Sequence, residues 1–293
     1  MRRLGHSESL AGWTLVSPAA VLIGIFGLLP VVMSLVLSFQ HSDLLTPETP
    51  WVGLDNYRKL ADDPVFVEAI KHTIIYTALF VPGTMLVGLF VAAAMNRSVR
   101  FISVYRTTAY ITMAVSTISQ GIIFLWLTDR DYGLINAALN AVGVASQPFL
   151  ASPSQALYVI VAMTIWGWTG FSVIVYLAAL QGVPAELHEA AAIDGASAFT
   201  RFRTITVPLL GPANLFLVVW LTINALQLFD EVYATTRGGP LRATTVIVYY
   251  LWDRAFVQFD AGYAAAMAYA LFVVILVITG VQFRIARKHA HAS

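Results

Sequence analysis

Cysteine is absent from the 293 residues, which removes both a disulfide framework and a thiolate metal site. Charge is scarce: Asp, Glu, Lys and Arg make up 11% of the chain, where a soluble domain carries about 25%. The net charge is +1 and no basic run occurs, so no nucleic-acid partner is indicated. A Gly-rich phosphate loop ending in Lys-Ser or Lys-Thr is missing, so the chain is not itself an ATPase of that kind. Six histidines (His6, His41, His72, His188, His289, His291) are scattered, none deep in an apolar run. Haem ligation therefore has no support, and the acids and histidines form no nucleophile–base or metal constellation for a membrane enzyme. What is abundant is apolar: 58% of residues are hydrophobic and the mean hydropathy is +0.75.

Apolar runs of about 20 residues suit a bilayer core, and six are expected as an all-α, polytopic membrane protein in one domain, 1–293. They lie near Trp13–Phe39, Thr73–Met95, Thr107–Leu127, Ala156–Leu180, Val207–Phe229 and Tyr263–Phe283. The first follows an Arg2-Arg3 pair in the manner of a signal peptide. Leu10 to Gln40 nevertheless has no Asp, Glu, Lys or Arg and exceeds a usual h-region of about 7–15 residues, so it reads as a retained span. Tyr132 to Pro153 is uncharged, yet Asn136, Asn140, Gln147, Pro148, Ser152 and Pro153 bring turn chemistry and make it an interfacial connector. Prolines at 18, 30 and 82 fall within or at the ends of spans, where neighbouring helices satisfy the freed carbonyls.

Lys and Arg concentrate on cytoplasmic loops. With the N-terminus inside, the cytoplasmic pieces hold Arg2, Arg3, Arg97, Arg100, Arg106, Arg201, Arg203, Arg284, Arg287 and Lys288 against Glu8, Glu186, Glu189 and Asp194. Both termini are thus expected in the cytoplasm, together with the loop 181–206.

That loop carries an island of charge, Glu186 to Arg203, between apolar segments. Pro184 suits the start of a helix, and Glu186 and Glu189 lie near its positive end. Leu187, Ala190 and Ala191 recur at three- and four-residue spacing as a small apolar stripe. Gly195 can end the helix in a left-handed conformation, Ser197 can cap the next one, and Pro208 marks the start of the fifth span. Either the island docks a partner through this small face, or it is an ordinary solvated hairpin.

Glu189-Ala190-Ala191, Gly195, Ile205 and Pro208 resemble, in spacing, the signature loop of permease subunits in bacterial ATP-binding-cassette importers of the carbohydrate-uptake class. The resemblance extends to Gly53-Leu54-Asp55-Asn56-Tyr57, Asp131-Tyr132-Gly133-Leu134-Ile135-Asn136, Ala179-Leu180-Gln181-Gly182-Val183-Pro184, Phe229-Asp230 and Thr236-Arg237-Gly238-Gly239-Pro240. Val207 departs from the usual leucine, and Thr112 stands where many relatives have a proline. The resemblance implies a type I importer fold in which Glu186, Glu189, Ala190, Ala191, Asp194, Gly195 and Pro208 serve a cytoplasmic coupling helix. It also implies a second permease, two ATPase subunits that hold ATP and Mg, an extracytoplasmic substrate-binding protein, and surrounding membrane lipid. This chain would hold no cofactor of its own.

Substrate residues are sought among aromatics and neutral amides. Trp166, Trp168 and Phe171 cluster in the fourth span, while Asn224 and Gln227 lie three apart at the end of the fifth. The tryptophans suit an interfacial belt equally well, and the amides suit helix joining. The maltose-uptake members of the family imply substrate contacts at Trp168, Phe171, Leu221, Asn224, Ala225 and Leu228. Ala234–Thr245 and Val281–Arg284 look like the glycerol-3-phosphate-uptake members, for which Arg237, Arg242 and Arg254 are the available basic partners. Gly262, Ala266 and Ala270 suit close helix packing or a lipid face. The competing class is an ion-coupled secondary transporter, which usually carries ionisable residues inside its spans; the six spans contain no Asp, Glu, Lys or Arg.

Overall fold

The structure, a computed structural model, describes residues 4–43, 45–46, 48–96 and 102–290. Arg2, Arg3, Arg97 and Arg100, four of the charges in the orientation argument, lie outside the described residues. Helices dominate, and among the described residues extended pairing is limited to two isolated bridges. The chain divides into two compact units, Met1–Asp63 with Leu251–Ala270 and Pro64–Tyr250 with Leu271–Ser293.

In the first unit, α1 (Gly12–Ser38) is long, apolar and almost wholly exposed. Pro30 cannot donate to the carbonyl of Phe26, and the preceding turn widens so that the Leu29 N–H reaches back to Gly24. After α1 comes α2 (Asp55–Asp62). The Asn56 amide, buried, donates to the carbonyls of Ser38 (3.0 Å) and Gln40 (2.9 Å), and the hydroxyls of Tyr57 and Ser38 lie 2.8 Å apart. The Gly53–Tyr57 stretch is therefore a clamp on the end of α1. Nearby, buried Tyr263 donates to Asp63 (2.7 Å), and Lys59 pairs with Asp260 (2.9 Å).

The second unit opens with α3 (Pro64–Met95), which starts well before the expected Thr73 because Glu68, Lys71 and His72 interrupt the apolar pattern without interrupting the helix. The expected third span is two helices, α4 (Ile102–Ala114) and α5 (Thr117–Leu127). Ser116 is extended between them and caps α5 by accepting from the Ser119 N–H. A short α6 (Leu134–Ala141) follows, then α7 (Ala156–Gln181), which matches the expected fourth span almost residue for residue. Buried Asn136 donates to the carbonyls of Asp129 and Gln147, both at 2.9 Å, and accepts from the Gln147 N–H at 2.8 Å. One side chain thus ties both ends of the connector. Asn136→Ala leaves these backbone groups without their partner and is expected to cost about 2–3 kcal/mol, read as a fall in the melting temperature of the purified protein; an unchanged melting temperature would refute the clamp.

Beyond α7 lie α8 (Ala185–Ile193), α9 (Ala198–Leu209) and α10 (Gly211–Leu226), the last two meeting at a 65° bend. Pro208 cannot donate to Thr204, and the turn Phe202–Thr206 widens as at Pro30. The bend thus falls inside the expected fifth span, between Leu209 and Gly211. The unit continues with α11 (Asp230–Thr235) and α12 (Ile247–Trp252), and α13 (Ala261–Ala290) is shared between the two units. By length and composition four helices among the described residues can cross a membrane, Gly12–Ser38, Pro64–Met95, Ala156–Gln181 and Ala261–Ala286, and the bent pair makes up to five. The expected third span is not among them because that segment is split at Val115–Ser116.

The core of this unit lies between α3, α7 and α10, around Tyr76, Phe80, Ile160, Met163, Val173, Tyr176, Leu217 and Leu221. At Gly88, α3 crosses α7 so closely that a Cβ there would lie 2.1 Å from Ser172 Oγ. That hydroxyl donates to the Thr84 carbonyl at 3.2 Å, a small-residue crossing of the kind that substitutes for hydrophobic drive in lipid. Gly262 abuts backbone in the first unit, where a Cβ would lie 2.2 Å from the Gln40 carbonyl oxygen.

Candidate functional site

After α10 the chain turns through Gln227–Phe229, and α11 packs back onto α5, with Gly121 against Ala234. The reversal brings Asp230 and Glu231 into the wall of a cavity of about 270 Å³. Its other walls are Tyr76 and Phe80 of α3, Thr117 of α5, Trp168 of α7, and Asn224, Gln227, Leu228 and Phe229. A second cavity of about 260 Å³ shares Thr117, Trp168 and Glu231 with the first and adds Val115, Gln120, Phe171 and Trp220 among its lining residues. Between them runs a relay of rings: Tyr76–Phe80 stacked at 5.3 Å, Phe80–Trp168 edge-on at 6.3 Å, Trp168–Phe171 edge-on at 5.7 Å and Phe171–Trp220 stacked at 6.1 Å.

Five of the seven expected substrate residues therefore meet: Trp168, Phe171, Asn224, Gln227 and Leu228. Leu221 and Ala225, at 0% and 1% exposure, belong to the packed core instead and line neither cavity. They lie on the turn of α10 that faces inward. Trp166 leaves the cluster as well, pairing with Phe124 at 5.8 Å. Asn224 donates to the Trp220 carbonyl of its own helix at 2.8 Å, which uses one of its two amide N–H donors and leaves the carbonyl oxygen as an acceptor.

Tyr76, Phe80, Thr117 and Glu231 were not anticipated. Glu231 follows the fifth apolar run, and its return onto α5 is a tertiary event with no local signal. Burial, with Asp230 adjacent, pushes its carboxyl up to about 7. No Lys, Arg or His lines either cavity among the described residues. Of the expected basic partners, Arg254 is engaged with Gln258 (2.8 Å) and Asp63 (3.7 Å), and Arg237 lies over the Tyr233 ring at 5.9 Å.

The charged island forms a separate feature. α8 carries Glu186, Glu189, Ala190 and Ala191 and buries no residue; Asp194 and Gly195 follow it and are exposed. Gly195 adopts φ +78°, its N–H reaching the Ala192 carbonyl while the Ala196 N–H reaches Ala191. This paired closure is the Schellman arrangement, which the missing Cβ permits. Ser197 accepts from the Thr200 N–H at 3.1 Å as the cap of α9, and Arg201 donates to the His188 carbonyl at 3.3 Å. Ile193 (87%) and Phe199 (72%) are the most exposed large apolar side chains of the loop. Pro208 lies away from α8, beyond the widened turn of α9.

Residues 84–291, more than half of the chain, match the family described as binding-protein-dependent transport system inner membrane component. The chain belongs to this family. The lactose transport system permease protein of Rhizobium radiobacter is 35% identical over 283 residues, covering 94% of each chain. The sn-glycerol-3-phosphate transport system permease protein of Agrobacterium fabrum is 32% identical over 292 residues, covering 99% of each. The fold is shared with a chain of the bacterial alginate ABC transporter in complex with alginate pentasaccharide-bound periplasmic protein, at TM-score 0.85, 22% identity and 96% coverage of both. This family member is an inner-membrane, multi-pass ABC importer permease of the carbohydrate-uptake group, as the signature spacing implied. Ion-coupled carriage, the competing expectation, is set aside by that membership.

Proposed function

We propose that this permease supplies one half of a translocation pathway for a sugar or a polyol phosphate, and that α8 transmits the work of a partner ATPase. The observation that carries the coupling role is that α8 has no buried residue and presents Leu187 and Ile193 to its surroundings, with Phe199 exposed on the α9 that follows. Exposed apolar side chains set among charges, on a helix ended by the Gly195 closure, suit docking into a protein cleft. The pathway role is supported by the two cavities joined through Trp168, where aromatic faces and amides offer the contacts a sugar uses.

In this reading a second permease completes the pathway, two ATPase subunits bind ATP and Mg, and an extracytoplasmic binding protein delivers the substrate. Both termini lie in the cytoplasm, and the chain itself takes no cofactor. Closure of the ATPases on ATP moves α8, which reaches α10 through the bend after Leu209. The test is co-expression with the candidate partners. An ATPase should co-purify, and uptake into proteoliposomes should require ATP; uptake driven by an ion gradient without ATP would overturn the assignment.

A further inference from the structure

Relatives of comparable identity are named for lactose and for glycerol-3-phosphate, so likeness does not choose between neutral and anionic cargo. The charge of the cavity wall does. Glu231 lines both cavities and Asp230 lines the larger, while no cationic side chain lines either among the described residues. We propose that Glu231 is a specificity-determining residue that selects an uncharged, hydroxyl-rich ligand and rejects phosphorylated and acidic sugars. The inference rests on reading these cavities as the substrate site.

Three features carry it. A carboxylate accepts from neighbouring hydroxyls through charge-assisted hydrogen bonds, roughly twice as strong as neutral ones. Tyr76, Phe80 and Trp168 add ring faces opposite, and the Asn224 carbonyl oxygen adds a further acceptor. A phosphate or second carboxylate about 5 Å from Glu231 meets like charge, and this chain's described residues bring no cation to either cavity; at an effective dielectric near 20 the repulsion lowers affinity on the order of 100-fold.

The titratable groups that face Glu231 are Asp230 on its own helix and Tyr76 on α3; α5, α7 and α10 bring Thr117, Gln120, Trp168, Phe171, Trp220 and Asn224, none of them an acid or base at these pH values. Burial pushes the carboxyl up to about 7, so the test is run above that value.

The test uses the complete transporter, with its ATPases, second permease and binding protein, in proteoliposomes at pH 8. ATP-driven uptake of labelled lactose, trehalose, glycerol-3-phosphate and galacturonate is compared for the native protein and for Glu231→Gln, Trp168→Ala and Asn224→Ala. A neutral saccharide should be imported and the two anions should not. Glu231→Gln should raise the half-saturating concentration of the neutral saccharide about 10-fold, with co-purification of the second permease and the ATPases as evidence of an intact assembly. Import of either anion by the native protein overturns the proposal, as does an unchanged half-saturating concentration in Glu231→Gln. If Trp168→Ala and Asn224→Ala weaken uptake while Glu231→Gln does not, the cavities stand as the substrate site and only the selectivity claim falls. If all three variants behave as the native protein, the reading of the cavities falls with it.

Discussion

Replacing Ile193 by aspartate is expected to reduce ATP-driven uptake by roughly 100-fold without reducing the amount of inserted, folded permease. Ile193 is 87% exposed and α8 buries nothing, so the substitution removes no internal packing, and surface changes of this kind alter stability by only about 0.5 kcal/mol. An apolar anchor at the centre of a protein interface is different: its loss costs about 2–4 kcal/mol, and a carboxylate adds a desolvation penalty. Glu189→Lys should act in the same direction. The measurements are ATPase retention on the purified permease and uptake in proteoliposomes. Gly195 supplies the geometric control. At φ +78° a proline, fixed near −65°, cannot close α8, whereas asparagine tolerates the left-handed region. Gly195→Pro should therefore uncouple and Gly195→Asn should retain most activity. Full uptake and full ATPase retention in both Ile193→Asp and Gly195→Pro would remove α8 from the coupling route.

Gly88→Leu should prevent accumulation of the folded protein. A Cβ at this position lies 2.1 Å from Ser172 Oγ, 2.7 Å from Ser172 Cβ and 3.3 Å from its backbone carbon. The far end of a flexible chain could move away; here the obstacle includes the facing backbone, so α3 and α7 must separate. Overpacking costs about 1–3 kcal/mol where neighbours can adjust, and this crossing also holds the Ser172–Thr84 hydrogen bond at 3.2 Å. Detergent-extracted protein should aggregate on size-exclusion chromatography. The milder Gly88→Ala should lose several degrees of melting temperature and recover part of that loss when combined with Ser172→Gly. A Gly88→Leu protein that elutes and melts as the native one does would show that the helices do not cross at this point.

Local chemistry made much of this legible. The boundaries of α7 follow from an unbroken apolar run of suitable length, and Gly195 and Ser197 declare the end of one helix and the cap of the next before any packing is known. The Gly53–Tyr57 and Asp131–Asn136 stretches were visible as patterns, but their reason, an asparagine clamping two lengths of backbone in each case, needs the fold. The split at Val115–Ser116 carries no proline or glycine to announce it. Leu221 and Ala225 fall in the core and not in the cavity walls, because resemblance fixes a position along α10 while packing decides which turn faces inward. Glu231 stayed hidden for the opposite reason: its neighbours in the chain look like loop, and its neighbours in space come from four other helices.

The interruption between α4 and α5 has a meaning beyond the tally of spans. Hydrocarbon punishes an unpaired peptide group, so irregular backbone survives at membrane depth only where protein buries it or a cavity wets it. Val115 and Thr117, on either side of the break, both line the smaller cavity, and the Gln120 amide donates to the Val115 carbonyl at 2.8 Å. On the reading of these cavities proposed above, the short segment offers main chain to the passing solute, where an uninterrupted helix would offer only side chains.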